Sequence, residues 1–181
     1  MNTEQQLLSG VRDGDRTAMR RLYDTYSGYA MATVLRYVPD RDDASDILQD
    51  AFVKVFSSVA QFDYRGEGSL KSWIMRIVAN EALGWLRKRK DITFTDNIPD
   101  TSSLDDDPDV DSVTDEVLAD MIASLPDGYR MVLNLYVFEG LSHKDIAARL
   151  GITPSTSASQ FFHAKKMLAR KIKVYCESER K

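Results

Sequence analysis

Wherever apolar residues form a pattern along this chain, they return at steps of three and four, the spacing of one face of an α-helix. Residues 17–38 carry Met19, Leu22, Tyr23, Tyr26, Tyr29 and Val34 in this way, and Pro39 stops the run. The segment DDASDILQDAFVKVFSSV has the clearest period: Ile47, Leu48, Ala51, Phe52, Val55, Phe56 and Val59 form one stripe and predict a helix over 43–59. Asp42, Asp43 and Asp46 stand near its start, where the helix dipole favours them. Its polar side carries Asp46, Gln49, Asp50 and Lys54 and is expected to face solvent. A polar loop over 63–68 follows, with two glycines that permit turns closed to other residues. Ser69 is expected to cap the next helix, which runs to about residue 90 and buries Leu70, Trp73, Ile74 and Ile77. On its flank Arg76, Asn80, Leu83 and Arg87 fall in a single row.

The period then stops. Residues 91–116 combine Pro, Ser, Thr and many aspartates without an amphipathic repeat before Val113, and read as a linker extended by its own repulsion. Helices return at 117–125, which the run Pro126-Asp127-Gly128 is expected to end, and at 129–138. Ser142-His143-Lys144-Asp145 reads as a capping box for a short helix holding Ile146, Ala147 and Leu150. Gly151 turns the chain, Ile152 tucks beneath it, and Pro154 opens a further helix. Ser157, Phe161, Ala164, Leu168 and Ile172 lie on the inner side of that helix. Ser155, Thr156, Ser159, Gln160, His163 and Lys166 are expected on the outer side. Two helices around such a turn, the second presenting polar side chains, form the pattern of a helix-turn-helix that enters a DNA major groove. The expected fold is all-α: a helical domain over 1–92, an acidic flexible linker over 93–116, and a helix-turn-helix domain over 117–181.

Charge changes the picture through its distribution. The net charge of −4 hides two basic stretches, six Lys/Arg against one acidic residue in 71–90 and nine against three in 141–181. They flank residues 91–120, which carry eleven acidic side chains and no basic one. Local clusters, not overall pI, make a phosphate-binding footprint. An enzyme finds no support: there is no glycine-rich phosphate loop, no nucleophile with a base beside it and no carboxylate–histidine cluster. His143 and His163 lack ligand partners at useful spacing, so neither a metal nor a cofactor is expected. The single thiol, Cys176, near the end of the chain, suits a reducing cytoplasm, and neither a secretion signal nor a membrane-inserted segment is expected.

DDASDILQDAFVKVF, SLKSWIMRIVANEALGWLRKRK and SLPDGYRMVLNLYVFEGLSHKDIAARLGITPSTSASQFFHAKKML, in this order and with a linker between, resemble the extracytoplasmic-function (ECF) group of bacterial RNA polymerase sigma factors. The resemblance spans roughly residues 17–90 and 118–172. It implies a factor that binds RNA polymerase core and directs promoter recognition and transcription initiation, and that an anti-sigma protein holds inactive. It places Asp46, Gln49 and Asp50, with Phe52 anchoring their helix, on the face that docks on the clamp coiled coil of the polymerase. It assigns the minus-ten element to Arg76, Asn80, Arg87 and Lys88 with the loop residues Asp63, Tyr64 and Arg65, where a non-template base is flipped out of the stack. It leads the acidic linker through the path of nascent RNA. Trp73, with Leu70 and Ile77, reads as core.

For the minus-thirty-five element the matching positions are Ser155, Thr156, Ser159, Gln160 and His163 toward bases, with Arg149, Lys165 and Lys166 suited to phosphates. The chain departs from the family pattern at Ala158, where lysine is common, at Gln160, where arginine is common, and at Ser157, a usual valine on the inner face. Gln160 could pair with an adenine edge. A free-standing helix-turn-helix regulator that dimerises through its first half is the alternative. A separate basic helix beside an acidic helix face, which a dimerisation domain has no need of, speaks against it.

Overall fold

In the structure, a computed structural model, residues 3–89, 92, 94 and 113–179 are described, and among them every regular element is helical. The chain divides after Arg89 into two compact units. The expected linker residues 93 and 95–112 lie outside the described residues.

The first unit holds α1 (Thr3–Arg12), α2 (Arg16–Tyr37), α3 (Arg41–Ser58), a 3-10 turn (Val59–Gln61) and α4 (Ser69–Lys88). Asp15 caps α2 by accepting from the Thr17 amide at 2.8 Å, and Asp40 caps α3 by accepting from Asp42 and Asp43 at 3.0 Å. Such caps satisfy amide groups that the first helical turn leaves without partners. Helices α2, α3 and α4 pack on one another, and α1 lies along α2. The contact of α1 is close, because a Cβ at Gly10 would stand 2.7 Å from that of Ala18.

The sequence pattern missed α1 altogether. It also misread the inner side of α4, where the fully buried residues are Leu70, Ile74, Val78, Ala82 and Leu86, with Ala79 and Leu83 beside them. Trp73 and Ile77 are only half-buried, and the Trp73 ring packs 4.8 Å from that of Phe62. The N-cap of α4 is Gly68, in the left-handed region at φ +81°. Ser69, expected there, instead closes the preceding loop: its hydroxyl donates to the Gly66 carbonyl at 2.6 Å and accepts from the Arg65 amide at 3.2 Å.

The second unit holds α5 (Asp115–Ala123), α6 (Asp127–Val137), α7 (His143–Leu150) and α8 (Pro154–Glu179). Ile122, Leu125, Tyr129, Leu133 and Ala164 form a core cluster, with Leu118, Phe161, Met167 and Leu168 packed against it. Asp115 and Glu116, placed in the linker on sequence, are the first turn of α5 under a Thr114 cap. Helix α5 ends at Ala123, just ahead of Pro126-Asp127-Gly128 as expected, but the same run also opens α6, with Pro126 as its N-cap. Ser142 caps α7 as expected, accepting from the Asp145 amide, and Gly151 at φ +72° ends that helix. Cys176 sits half-buried within α8. Among the described residues no helix is long and apolar enough to cross a membrane.

One cation fastens the α5–α6 corner. Arg130 is 5% exposed and donates to the Ala123 carbonyl at 3.0 Å, the Leu125 carbonyl at 2.6 Å and the Asp127 carboxylate. Burial pulls its pKa down, and Asp127 opposes that shift. Arg130→Met keeps most of the volume and removes these donors to the Ala123 and Leu125 carbonyls. We expect a loss of roughly 2–4 kcal/mol in urea denaturation, whereas a change under about 0.5 kcal/mol would show that the corner is held by apolar packing alone.

Candidate nucleic-acid interface

Two surfaces of the first unit gather the residues singled out on sequence. On α3, burial of Ala44, Ile47, Leu48, Ala51 and Val55 turns Asp46, Gln49 and Asp50 outward, all exposed. Val53, 68% exposed, continues their row and was missed because a valine counts as core in a sequence pattern. Phe52 anchors that helix, as expected, from the inner side and not from the outward row: it is 3% exposed, its ring 4.7 Å from Tyr23 and 6.0 Å from Phe56. Lys54, on the same polar side, pairs with Glu81 of α4 at 2.6 Å.

On α4, Arg76, Asn80, Arg87 and Lys88 are exposed, while Leu83, read as part of the row, is buried at 3%. Arg89 closes the helix with its guanidinium 4.7 Å from the Trp85 ring and 4.0 Å from Asp43. The loop before α4 exposes Asp63 and Arg65, an ion pair at 3.5 Å too wet to hold anything. Tyr64 is half-buried between them. Gly66 at φ +113° and Gly68 at φ +81° bend this loop into backbone regions that side chains resist. Cations in a row beside a loop carrying an aromatic ring can track a strand by charge and hold a base by stacking.

In the second unit α7, Gly151 and α8 form the expected helix-turn-helix. Helical geometry sets the exposed row of α8: Ser155, Ala158, Phe162 and Lys165 stand outward. Thr156, Ser159, His163 and Lys166 line its flank, half-buried, as is Arg149 on α7. The His163 ring stacks on Tyr129 at 5.8 Å and 23°. Thr156 shares a hydrogen bond with the Thr153 hydroxyl at 2.9 Å, so part of its polar capacity goes to capping the helix.

Gln160 is corrected. It is 0% exposed, because the turn that buries Ser157 and Ala164 carries position 160 inward with them, and it cannot reach a base edge. The buried Ser157 hydroxyl lies 3.0 Å from His143 Nδ1, which explains how a serine replaces an aliphatic residue there. In place of Gln160 the helix displays Phe162, 56% exposed, where an aromatic edge suits a thymine methyl. The signal was present: Phe162 lies four residues after Ala158 and three before Lys165, but an aromatic residue was not counted as outward.

Residues 22–92 match the family description Sigma-70 region 2, and residues 115–168 match Sigma-70, region 4. The chain is 31% identical over 186 residues to the ECF RNA polymerase sigma-E factor of Haemophilus influenzae, covering 94% of this chain and 95% of that protein. It is likewise 31% identical over 178 residues to the RNA polymerase sigma-H factor of Pseudomonas aeruginosa, covering 91% of each. Among solved structures it is similar in fold to the sigma factor RpoE in complex with the anti-sigma factor NepR from Bartonella quintana. That match has a TM-score of 0.51 at 23% identity and covers 86% of this chain and 96% of the other. CnrH in complex with the cytosolic domain of CnrY gives 0.50 at 21% identity, covering 96% and 99%.

The two unusual positions of α8 now separate. Ala158→Lys places a cation on the exposed row and should strengthen low-salt binding to duplex DNA, with the logarithmic salt slope steeper by about 0.9 for one added phosphate contact. Gln160→Arg should instead lower folding stability by about 3 kcal/mol or more, since it buries a charge. Titration of DNA at several salt concentrations and urea denaturation read the two effects. A stable Gln160→Arg chain with tighter DNA binding would contradict this register.

Proposed function

This chain belongs to the sigma-70 family, in the ECF group of RNA polymerase sigma factors, and from that membership we propose how its surfaces divide the work. A sigma factor binds RNA polymerase core and directs promoter recognition and transcription initiation. In our reading the α3 row of Asp46, Gln49, Asp50 and Val53 docks on the core enzyme. Arg76, Asn80, Arg87 and Lys88 of α4, with Asp63, Tyr64 and Arg65 of the loop, grip the minus-ten element as it opens. The exposed row of α8, flanked by Arg149, Ser159, His163 and Lys166, reads the minus-thirty-five element. The two units, the first through α4 and the second from α5 at Asp115 onward, with the acidic segment between, carry this division.

The supporting observation is the pair of polar rows on the first unit, acidic on α3 and basic on α4, each turned out by burial of the opposite side of its helix. A dimerisation domain has no use for both. Extruding a base from the duplex costs a few kcal/mol of stacking, recovered when the base is stacked and hydrogen-bonded in a pocket. The protein thereby stabilises an opened strand and catalyses no reaction of its own. It acts in the cytoplasm beside the polymerase, and an anti-sigma protein restrains it by covering these surfaces.

Asp50→Lys tests the docking face. The residue is exposed, so stability should shift by less than about 0.5 kcal/mol, while core binding, read by fluorescence titration, should be lost. Full core affinity in a folded variant would remove α3 from the interface. Asn80→Ala tests the second surface: permanganate reactivity of thymines should appear more slowly while core binding stays intact, and unchanged reactivity would contradict the assignment.

A further inference from the structure

Helix α1 lies before residues 22–92, which match region 2, yet its side chains close on the backbone of the loop that leads into α4. Glu4 Oε2 accepts a hydrogen bond from the Gly68 amide at 3.1 Å, and Glu4 Oε1 accepts one from the Tyr26 hydroxyl at 3.1 Å. At the far end of the same helix, Arg12 donates to the Val59 carbonyl at 3.4 Å and to the Phe62 carbonyl. These ties hold the segment 59–68 at both ends. Gly68, the N-cap of α4, has no side chain with which to cap it. A carboxylate from another helix stands there instead, where the positive end of the α4 dipole favours an anion. Tyr26 is buried, and burial together with Glu4 pushes its phenol up to about 12, so it stays a neutral donor toward the carboxylate at ordinary pH. The close seating of Gly10 on Ala18 fixes α1 on α2 while these bonds are made.

We propose that Glu4, with Arg12, is a positioning residue for promoter opening: α1 sets the conformation in which residues 63–65 meet the extruded base. This rests on the reading of 63–68 as the loop that grips the minus-ten element. A loop bent through two left-handed glycines is soft by itself, and ordering it during folding spares that entropy at the moment of capture.

The test uses holoenzyme assembled from core polymerase and the full chain, with a promoter fragment that the unsubstituted holoenzyme selects from a random-sequence library. 2-Aminopurine replaces an adenine of the non-template strand within the opened segment, and its emission follows unstacking. Glu4→Ala should keep core affinity and slow the rise in emission about tenfold, the effect of losing its hydrogen bond to the Gly68 amide at usual strength. Glu4→Gln retains an acceptor oxygen for the Gly68 amide and should recover most of the rate. The double variant Tyr64→Ala/Arg65→Ala, which alters the loop itself, is measured alongside. A slow loop variant with a normal Glu4→Ala overturns the proposal and leaves the loop assignment standing. Normal rates in both remove the loop assignment and the proposal with it. Absence of rescue by Glu4→Gln, or a parallel fall in core affinity, overturns it in favour of a general structural role for α1.

Discussion

Everything the first unit presents depends on the burial of one stripe of α4. Leu70, Ile74, Val78, Ala82 and Leu86 follow at steps of four and are each at most 2% exposed. A step of four overshoots a helical turn by about 40°, so the stripe winds around the helix and no single neighbour can cover it. Helices α2 and α3 share that task, which places α4 against both. The register then has no freedom. Arg76, Asn80 and Arg87 must stand outward, and α3, with its own apolar side given to the core, must turn Asp46, Gln49 and Asp50 to solvent. Polar function here is the complement of apolar packing.

The same constraint governs α8 with a different result. Burial of Ser157, Gln160 and Ala164 rotates the helix until Ser155, Ala158, Phe162 and Lys165 lead. The inner side tolerates Ser157 because low exposure is not the same as apolar surroundings: its hydroxyl meets His143. At the other end of this unit Arg130 serves a similar purpose, bringing a cation to carbonyls that the end of α5 leaves over. The outward row of α8 is thus set by residues that are themselves buried.

The fold class, the outward row of α3, the capping box at Ser142 and the helix-turn-helix were legible because each is a local repeat or a local hydrogen bond. Three things were not. The stripe of α4 was drawn through Trp73 and Ile77, since large apolar residues attract a pattern more than Val78 and Ala82 do. Gln160 was placed outside on polarity and Phe162 was given no place on either side, although rotation about the helix axis, not residue type, decides exposure. Helix α1 went unseen because TEQQLLSGVR offers few apolar positions, and its ties to Val59, Phe62 and Gly68 join residues far apart in sequence. Tertiary contacts of that kind leave no period to find.

The central claim is that these two units confer promoter choice on a polymerase. Transcription in vitro with core enzyme, the full chain and a library of random promoter fragments, followed by sequencing of the 5′ ends of transcripts, tests it most directly. The account predicts starts that require the chain and share two elements upstream, one about ten and one about thirty-five positions before the start, as membership in the sigma-70 family implies. Retardation of DNA by the chain alone, with no start that depends on it when core enzyme is present, would contradict the account.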